Sequence, residues 1–193
     1  MPTTNVYIYK NTIMEIIKTG IRDVIIIKPR VFGDERGYFF ESWNKNTLEK
    51  LGFVHDFVQD NQSLSMKNVL RGLHFQRPPF AQGKLVRVIQ GSILDVAVDL
   101  RKDSPTYLQH ETALLSGKNN HMFYVPEGFA HGFLTLEDHT IVNYKCTEVY
   151  DHTSEVTFRW DDPDVKVQWG IENPILSGRD NEAPFYNQID NPF

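Results

Sequence analysis

From Val24 onward, apolar residues of this chain recur at every second position between turn residues, and that period constrains the fold more than any other feature. Side chains alternate between the two faces of a β-strand, so such a run has one face to bury and belongs in a sheet. The clearest run is Lys84-Leu85-Val86-Arg87-Val88-Ile89-Gln90, followed by Gly91-Ser92 and then by Ile93 to Leu100. Gly91 can take the positive φ of a two-residue turn, so the two runs are expected to pair as a hairpin. In the second run Leu94, Val96, Val98 and Leu100 share one face, and Asp95 and Asp99 lie on the other. In the first, Val86 and Val88 share their face with Lys84. An ammonium on the apolar side of a strand needs a partner or a task.

A further strand is expected over Ile141 to Cys146, with Val142, Tyr144 and Cys146 on its inner side. One helix is expected from about Asn46 to Leu51, capped by Asn44 or Asn46 and ended by Gly52. After Trp160 the chain is rich in Asp, Pro and Asn, which predicts loops and short turns laid over a barrel. Short strands bounded by turns, with few helices, make an all-β sandwich or barrel.

With 193 residues the chain can build one sizeable core, and no linker divides it. Residues 14–193 are expected to form a single domain. Met1 to Ile13 are read either as an extension or, through Val6-Tyr7-Ile8-Tyr9, as an edge strand. The formal net charge of -5 argues against a nucleic-acid or membrane-surface binder, which needs a basic face. The single cysteine, Cys146, has no partner for an internal disulfide, and no apolar run approaches the roughly 18 residues of a membrane span. No basic segment followed by an apolar stretch marks a secretory leader, so a cytoplasmic setting is expected.

Chemistry-bearing residues cluster in two short segments. Arg71-Gly72-Leu73-His74-Phe75-Gln76 joins an arginine to a histidine on one expected strand, with Lys84 soon after. Pro126-Glu127-Gly128-Phe129-Ala130-His131 follows, and then Tyr144. Pro-x-Gly-x-x-His is the pattern of the second motif of cupin barrels, small jelly rolls in which a proline-glycine turn feeds a histidine into the barrel mouth. Metal-binding cupins add a His-x-His to complete their ligand set. Here the corresponding place reads His74-Phe75-Gln76, so neither metal nor cofactor is expected. A lone buried histidine is more often a structural hydrogen-bonder than a catalyst, which is the reading of His131 taken alone. His74 differs, because Arg71 and Lys84 lie near it on adjoining strands and clustered cations favour the neutral imidazole of a general base. Such a cluster also suits a bound anion.

Over nearly its whole length from about Met14, the chain resembles the dTDP-4-dehydrorhamnose 3,5-epimerases, metal-free cupins that act on nucleotide-linked deoxysugars. The resemblance rests on Val31-Phe32-Gly33-Asp34-Glu35-Arg36-Gly37-Tyr38-Phe39-Phe40-Glu41, on Gln59-Asp60-Asn61-Gln62-Ser63, on the Arg71-to-Gln76 run, on Val125 to Phe133 and on Tyr144-Lys145-Cys146-Thr147. It implies a cupin-type jelly roll and epimerisation of a dTDP-4-keto-6-deoxyhexose at C3 and C5. His74 would be the base, Asp180 the carboxylate that orients it, Tyr144 the proton donor and Lys84 the group that holds the C4 oxygen. Arg36, Glu41, Gln59, Asp60, Asn61, Arg71, His131, Glu155 and Arg179 would contact nucleotide, diphosphate or sugar. Arg179 stands where the family often has lysine. A homodimer is implied, with an N-terminal strand exchanged and Arg36 reaching the partner's site.

The residues alone leave other roles open. Asp180, in Gly178-Arg179-Asp180-Asn181, would ordinarily be a turn residue, and Arg36 with Glu41 could be a surface ion pair. Tyr144 would ordinarily be core, and Cys146 is read as a small apolar residue. Competing functions are an epimerase that inverts C3 only, a sugar-nucleotide-binding cupin without catalysis, and a metal-dependent oxygenase that lacks its second histidine.

Overall fold

The computed structural model describes residues 13–193. The reading of Met1 to Ile13 as an extension or edge strand therefore lies outside the described residues, apart from Ile13, whose carbonyl accepts a hydrogen bond from the Arg30 amide at 2.7 Å. In chain order the elements are β1 (Met14–Lys18), β2 (Ile25–Pro29), β3 (Phe32–Asp34), β4 (Gly37–Phe39), helix α1 (Lys45–Lys50), β5 (Gln59–Ser65), β6 (Leu70–Gln76) and β7 (Lys84–Gln90). Then come β8 (Ser92–Asp99), β9 (His110–Ser116), β10 (Met122–Val125), β11 (Phe129–Thr135), β12 (Thr140–Cys146), β13 (Glu155–Thr157) and the one-turn helix α2 (Gly178–Asn181).

Two antiparallel sheets face each other, as the alternation predicts, in a jelly roll of the cupin type that the resemblance implies. One has six strands in the order β1-β2-β10-β7-β12-β5, the other five in the order β13-β6-β11-β8-β9. Between them lie Val86, Val88, Phe123 and Val142 from the first sheet and Ile93, Ala97, Phe129 and Phe133 from the second. The outer face of the five-stranded sheet is apolar as well. Leu73, Phe75, Val96, Val98 and Leu134 are covered there by Phe158, Val165, Val167, Trp169 and Tyr186 of the C-terminal tail. A fully buried side chain of this size contributes about 1.5–3 kcal/mol, so the tail is held by the sheet it covers. β8 is thus buried on both faces: Asp95 and Asp99 lie opposite Val96 and Val98 as expected, yet neither is exposed.

The expected hairpin across Gly91-Ser92 does not form. β7 pairs with β10 and β12, while β8 pairs with β9 and β11, so the turn carries the chain from one sheet to the other. Alternation shows which face of a strand is buried but not which strand lies beside it, and two consecutive strands satisfy it equally well by facing each other across the core. Gly91 is still required, with φ +78° and a virtual Cβ only 2.3 Å from Thr140 Oγ1.

Helix α1 begins one residue earlier than expected. The Asn44 side chain accepts a hydrogen bond from the Thr47 amide at 3.1 Å, which selects Asn44 over Asn46 as the cap. At the other end Gly52 has φ +84°, the Gly52 amide donates to Glu49 and the Phe53 amide to Leu48, the paired bonds of a Schellman ending. Phe53 and Leu48 are thereby packed on Met14, Leu85, Met122 and Tyr124, covering the outside of the six-stranded sheet. The tail is loops and short turns as expected, and one of those turns, helix α2, carries Asp180.

Replacing Gly91 by Ala should destabilise the protein by about 2 kcal/mol or more, because a side chain at positive φ meets Thr140 at once. The shift of the urea unfolding midpoint measures it, and a change under 0.5 kcal/mol would show that the corner is not tightly specified.

Candidate active site

β6 faces the barrel interior with Arg71 and His74, β7 with Lys84, β11 with His131 and β12 with Tyr144. With Ser63, Asp180 and Arg179 these side chains line one cavity of about 390 Å³. A smaller cleft of about 230 Å³ shares His74, Lys84 and Tyr144 with it and adds Gln59, Asn61, Tyr150 and Glu155. The strand register explains the convergence. His74 and His131 are direct partners across β6 and β11, as are Cys146 and Lys84 across β12 and β7. His74 belongs to the five-stranded sheet, and Lys84 and Tyr144 to the six-stranded sheet. The imidazole therefore reaches the cavity from one wall, and the ammonium and phenol from the other.

Asp180 is brought to His74 from 106 residues away, and its Oδ1 lies 2.5 Å from His74 Nε2. The contact depends on α2. Val69 and Ile175 bridge β6 to the tail, and Ser177 caps the turn by accepting the Asp180 amide at 3.1 Å. The Ser177 hydroxyl also donates to Asp180 Oδ2 at 2.8 Å, so both carboxylate oxygens are used. Burial pushes the Asp180 carboxyl up, but the His74 hydrogen bond and charge, then Ser177, outweigh it and leave it below the ordinary value. An ionised Asp180 accepts the Nε2 proton and leaves the Nδ1 lone pair of His74 as the acceptor.

Lys84 is the expected inward ammonium, and it has no hydrogen-bond partner among the described residues. Burial pulls its pKa down, partly opposed by Cys146, Glu155 and Asp95. Tyr144 is shifted the other way: burial raises its phenol, Cys146 adds to the rise and Arg71 opposes it. Both are polar groups held at an apolar wall, where their interactions with a bound molecule are weakly screened. Cys146 is buried as expected, with the Asn61 amide donating to its sulfur at 3.6 Å.

Glu155 and Arg179 form an ion pair at 2.5 Å on the cleft wall, and the Arg179 guanidinium also donates to Thr157 Oγ1. The Tyr150 hydroxyl donates to the same Glu155 carboxylate at 2.6 Å. Burial raises the Glu155 carboxyl, and the bonds from Arg179 and Tyr150 bring it below the ordinary range.

Three of the residues singled out in the sequence do not join this site within the chain. Arg36 projects from the β3–β4 hairpin and pairs with Asp34 at 2.5 Å, largely exposed. Glu41 accepts a hydrogen bond from Asn44 at 3.0 Å, so the surface pair of Arg36 with Glu41 is not formed either. Asp60 bonds to Lys145 at 2.7 Å and to Asn143 at 3.0 Å on the outside of the sheet. The period of two turns Gln59 and Asn61 inward and therefore Asp60 outward. Conversely, Ser63, Tyr150 and Asp95 belong to the site region and were not singled out. Asp95 is fully buried and lies 2.7 Å from His131 Nε2. Asp95 shares the inner face of β8 with Ile93 and Ala97, the face that the alternation marked as the polar one. Among the described residues no group of three or more His, Cys, Asp or Glu side chains is arranged to hold a metal ion, and no helix is long and apolar enough to cross a membrane.

A comparison with family models matches residues 18–188 to the model of dTDP-4-dehydrorhamnose 3,5-epimerase. The chain belongs to that family. The dTDP-4-dehydrorhamnose 3,5-epimerase of Salmonella typhimurium is 51% identical over 177 residues, covering 91% of this chain and 97% of the relative. The crystal structure of the Bacillus anthracis epimerase with TDP and PPi bound superposes with a TM-score of 0.87 at 49% identity, covering 89% of this chain and 99% of that one. The Legionella pneumophila epimerase, solved in complex with dTDP-4-keto-L-rhamnose, gives a TM-score of 0.88 at 45% identity, covering 92% and 95%.

For this member of the epimerase family, Asp180→Asn should leave the fold intact but lower turnover on the order of 1,000-fold or more. An amide can turn its NH₂ toward Nε2 and move the imidazole proton to Nδ1, the nitrogen that the carboxylate otherwise leaves as the acceptor. Steady-state kinetics beside a thermal melt check this; a loss under tenfold with an unchanged melt would detach Asp180 from the function of His74.

Proposed function

We propose that the chain is an isomerase that converts dTDP-4-keto-6-deoxy-D-glucose to dTDP-4-keto-L-rhamnose by inverting C3 and C5 of the sugar. The observation that carries the mechanism is the division of the cavity, with an imidazole on one wall and a phenol and an ammonium on the other. In a 4-keto sugar both C3 and C5 adjoin the carbonyl, so their protons are acidic and their loss places charge on O4. His74 Nδ1 takes the proton, and the C–H electron pair moves through the ring to O4 as the enolate forms. The Lys84 ammonium stabilises that oxygen more in the transition state than in the ground state. Tyr144, kept neutral by burial, then gives its hydroxyl proton to the same carbon from the opposite face. The centre is inverted, the imidazolium of His74 releases its proton to solvent and the phenolate recovers one from solvent, which resets both groups for the second carbon. Asp180 keeps the tautomer of His74 correct through the cycle.

Around this centre Arg71, His131 and Arg179 supply the donors for the sugar and diphosphate, and Gln59, Asn61 and Glu155 line the cleft suited to the nucleotide. Asp60 is left out because its side chain faces away. We read residues 14–193 as one catalytic unit that works as a homodimer in the cytoplasm, and in that dimer Arg36 serves the partner's cavity. The exposed position of Arg36 supports this assignment, and an inhibition of mixed dimers carrying Arg36→Ala would test it.

A proton NMR time course in deuterium oxide with dTDP-4-keto-6-deoxy-D-glucose decides the reaction. Exchange and inversion at both C3 and C5 are expected; inversion at C3 alone would establish a single epimerase, and no exchange would leave only a binding protein. His74→Ala should abolish exchange at both carbons. Tyr144→Phe should still exchange, by return of the proton to the same face, without net epimerisation. Full epimerisation by the phenylalanine variant would refute the two-wall assignment. Lys84→Met should lower kcat on the order of 100-fold or more with a much smaller change in binding. A rise in KM alone would make Lys84 a binding group.

A further inference from the structure

Gln76 stands where a metal-binding cupin carries the second histidine of its His-x-His, and the proton transfers at His74 and Tyr144 leave it without a task. Its side chain is nonetheless only 4% exposed, against the smaller cleft. A buried amide needs partners, and Gln76 has three, all of them backbone groups. Its Nε2 donates to the Phe80 carbonyl at 2.6 Å and to the Val149 carbonyl at 3.1 Å, and its Oε1 accepts the Asp151 amide at 2.8 Å. Phe80 lies in the segment that leads from β6 into β7, and Val149 and Asp151 flank Tyr150 in the segment that follows β12. One side chain therefore ties two loops together. Two donors and an acceptor at one end are what a carboxamide offers; a neutral imidazole has one of each, and a carboxylate has no donor.

The same loops are linked again nearer to Lys84. Gln82 Nε2 donates to the Glu148 carbonyl at 2.7 Å, the Gly83 amide to Thr147 Oγ1 at 2.8 Å and the Thr147 amide to the Gly83 carbonyl at 3.0 Å. Lys84 is thus anchored where the loops meet the strands, by bonds that do not involve Gln76. Farther out, the backbone on either side of Tyr150 is held by Gln76, while the Tyr150 amide donates to Gln59 Oε1 at 2.8 Å and its hydroxyl to Glu155. Gln59, Gln82, Tyr150 and Glu155 all line the cleft.

We propose that Gln76 is a positioning residue for nucleotide binding: by clamping residues 77–83 to residues 147–151, it holds the Tyr150 side of the smaller cleft in its binding shape before substrate arrives. This rests on the assignment of that cleft to the nucleotide and names the group that keeps it formed. A loop that is already ordered costs less to order on binding, so the clamp acts on affinity. His74 and Tyr144 sit on strands whose pairing is independent of it, and Lys84 has the anchors just described.

Gln76→Met keeps the length of the side chain, removes all three bonds and adds no charge. Affinity for dTDP, measured by calorimetry, should fall about tenfold or more and KM should rise with it, while kcat stays within about threefold of the wild-type value. An unchanged affinity, or a fall in kcat with KM unmoved, overturns the proposal. A second measurement covers a variant that fails to fold. In amide hydrogen exchange on the wild-type protein, the Asp151 amide should be protected on the order of 100-fold over an open loop amide, with dTDP and without it. An Asp151 amide protected only once dTDP is bound, or not at all, would show that the clamp is not formed in advance and overturns the proposal. Neither measurement of binding nor of exchange needs turnover, and the wild-type affinity for dTDP tests the nucleotide reading by itself, so failure of that reading and failure of the clamp are separate results.

Discussion

The five-stranded sheet is apolar on both faces, and that constraint governs how the site is assembled. One face is satisfied by the opposing sheet. The other has to be covered by something, and residues after β13 do so with Phe158, Val165, Val167, Trp169 and Tyr186. Covering is non-directional, but it draws the tail along β6, where backbone bonds join Leu70 to Ile175 and Ile175 to Asn68. The next turn then has little freedom in where it lies. Ser177 starts it, and Asp180 arrives at His74 with its second oxygen already occupied. A hydrophobic requirement thus supplies the position, and hydrogen bonds supply the angle.

The opposite wall uses burial for a different end. Lys84 and Tyr144 share the inner face of the six-stranded sheet with Val86, Val88 and Val142, where water is scarce. There burial destabilises the ammonium and stabilises the neutral phenol, so one environment shifts the two groups in opposite directions. A neutral phenol is what a proton donor requires. The cost to the ammonium is opposed only in part, by Cys146, Glu155 and Asp95. Water-poor walls also strengthen every polar interaction with a molecule that fills the cavity.

Much of this was legible from residue order. The period of two identified β7, β8 and β12 and put Lys84 and Tyr144 on inward sides, because which residues of a strand share a face is a local property. Neighbours are not local. Gly91 marked a turn correctly, yet whether the chain folds back on itself or crosses to the other sheet depends on β10 and β12, which come later. The same limit hid the contact of Asp180 with His74, which only the family resemblance suggested. Asp60 shows the reverse: the resemblance pointed to the cavity, and the alternation of β5, with Gln59 and Asn61 inward, turns its side chain out to Lys145. Asp95 was visible as an acid in an apolar strand, but its face was read as the polar one, since nothing in sequence tells that a second layer lies beyond it.

The corner at Gly91 has a consequence for how the molecule comes together. Because adjacent strands are sent to different sheets, β7 must wait for β10 and β12, and β6 for β11, before either has a neighbour. Pairings this distant close large loops first and are rewarded afterwards, the topology of a slow folder with exposed intermediate edges. The tail docks on a surface that exists only once those pairings are complete. The contact of His74 with Asp180 is accordingly a late-acquired property. A chain with its barrel formed and its tail undocked has the ammonium and the phenol, but its cavity lacks the wall that Leu176, Ser177, Arg179 and Asp180 supply, and His74 lacks its carboxylate.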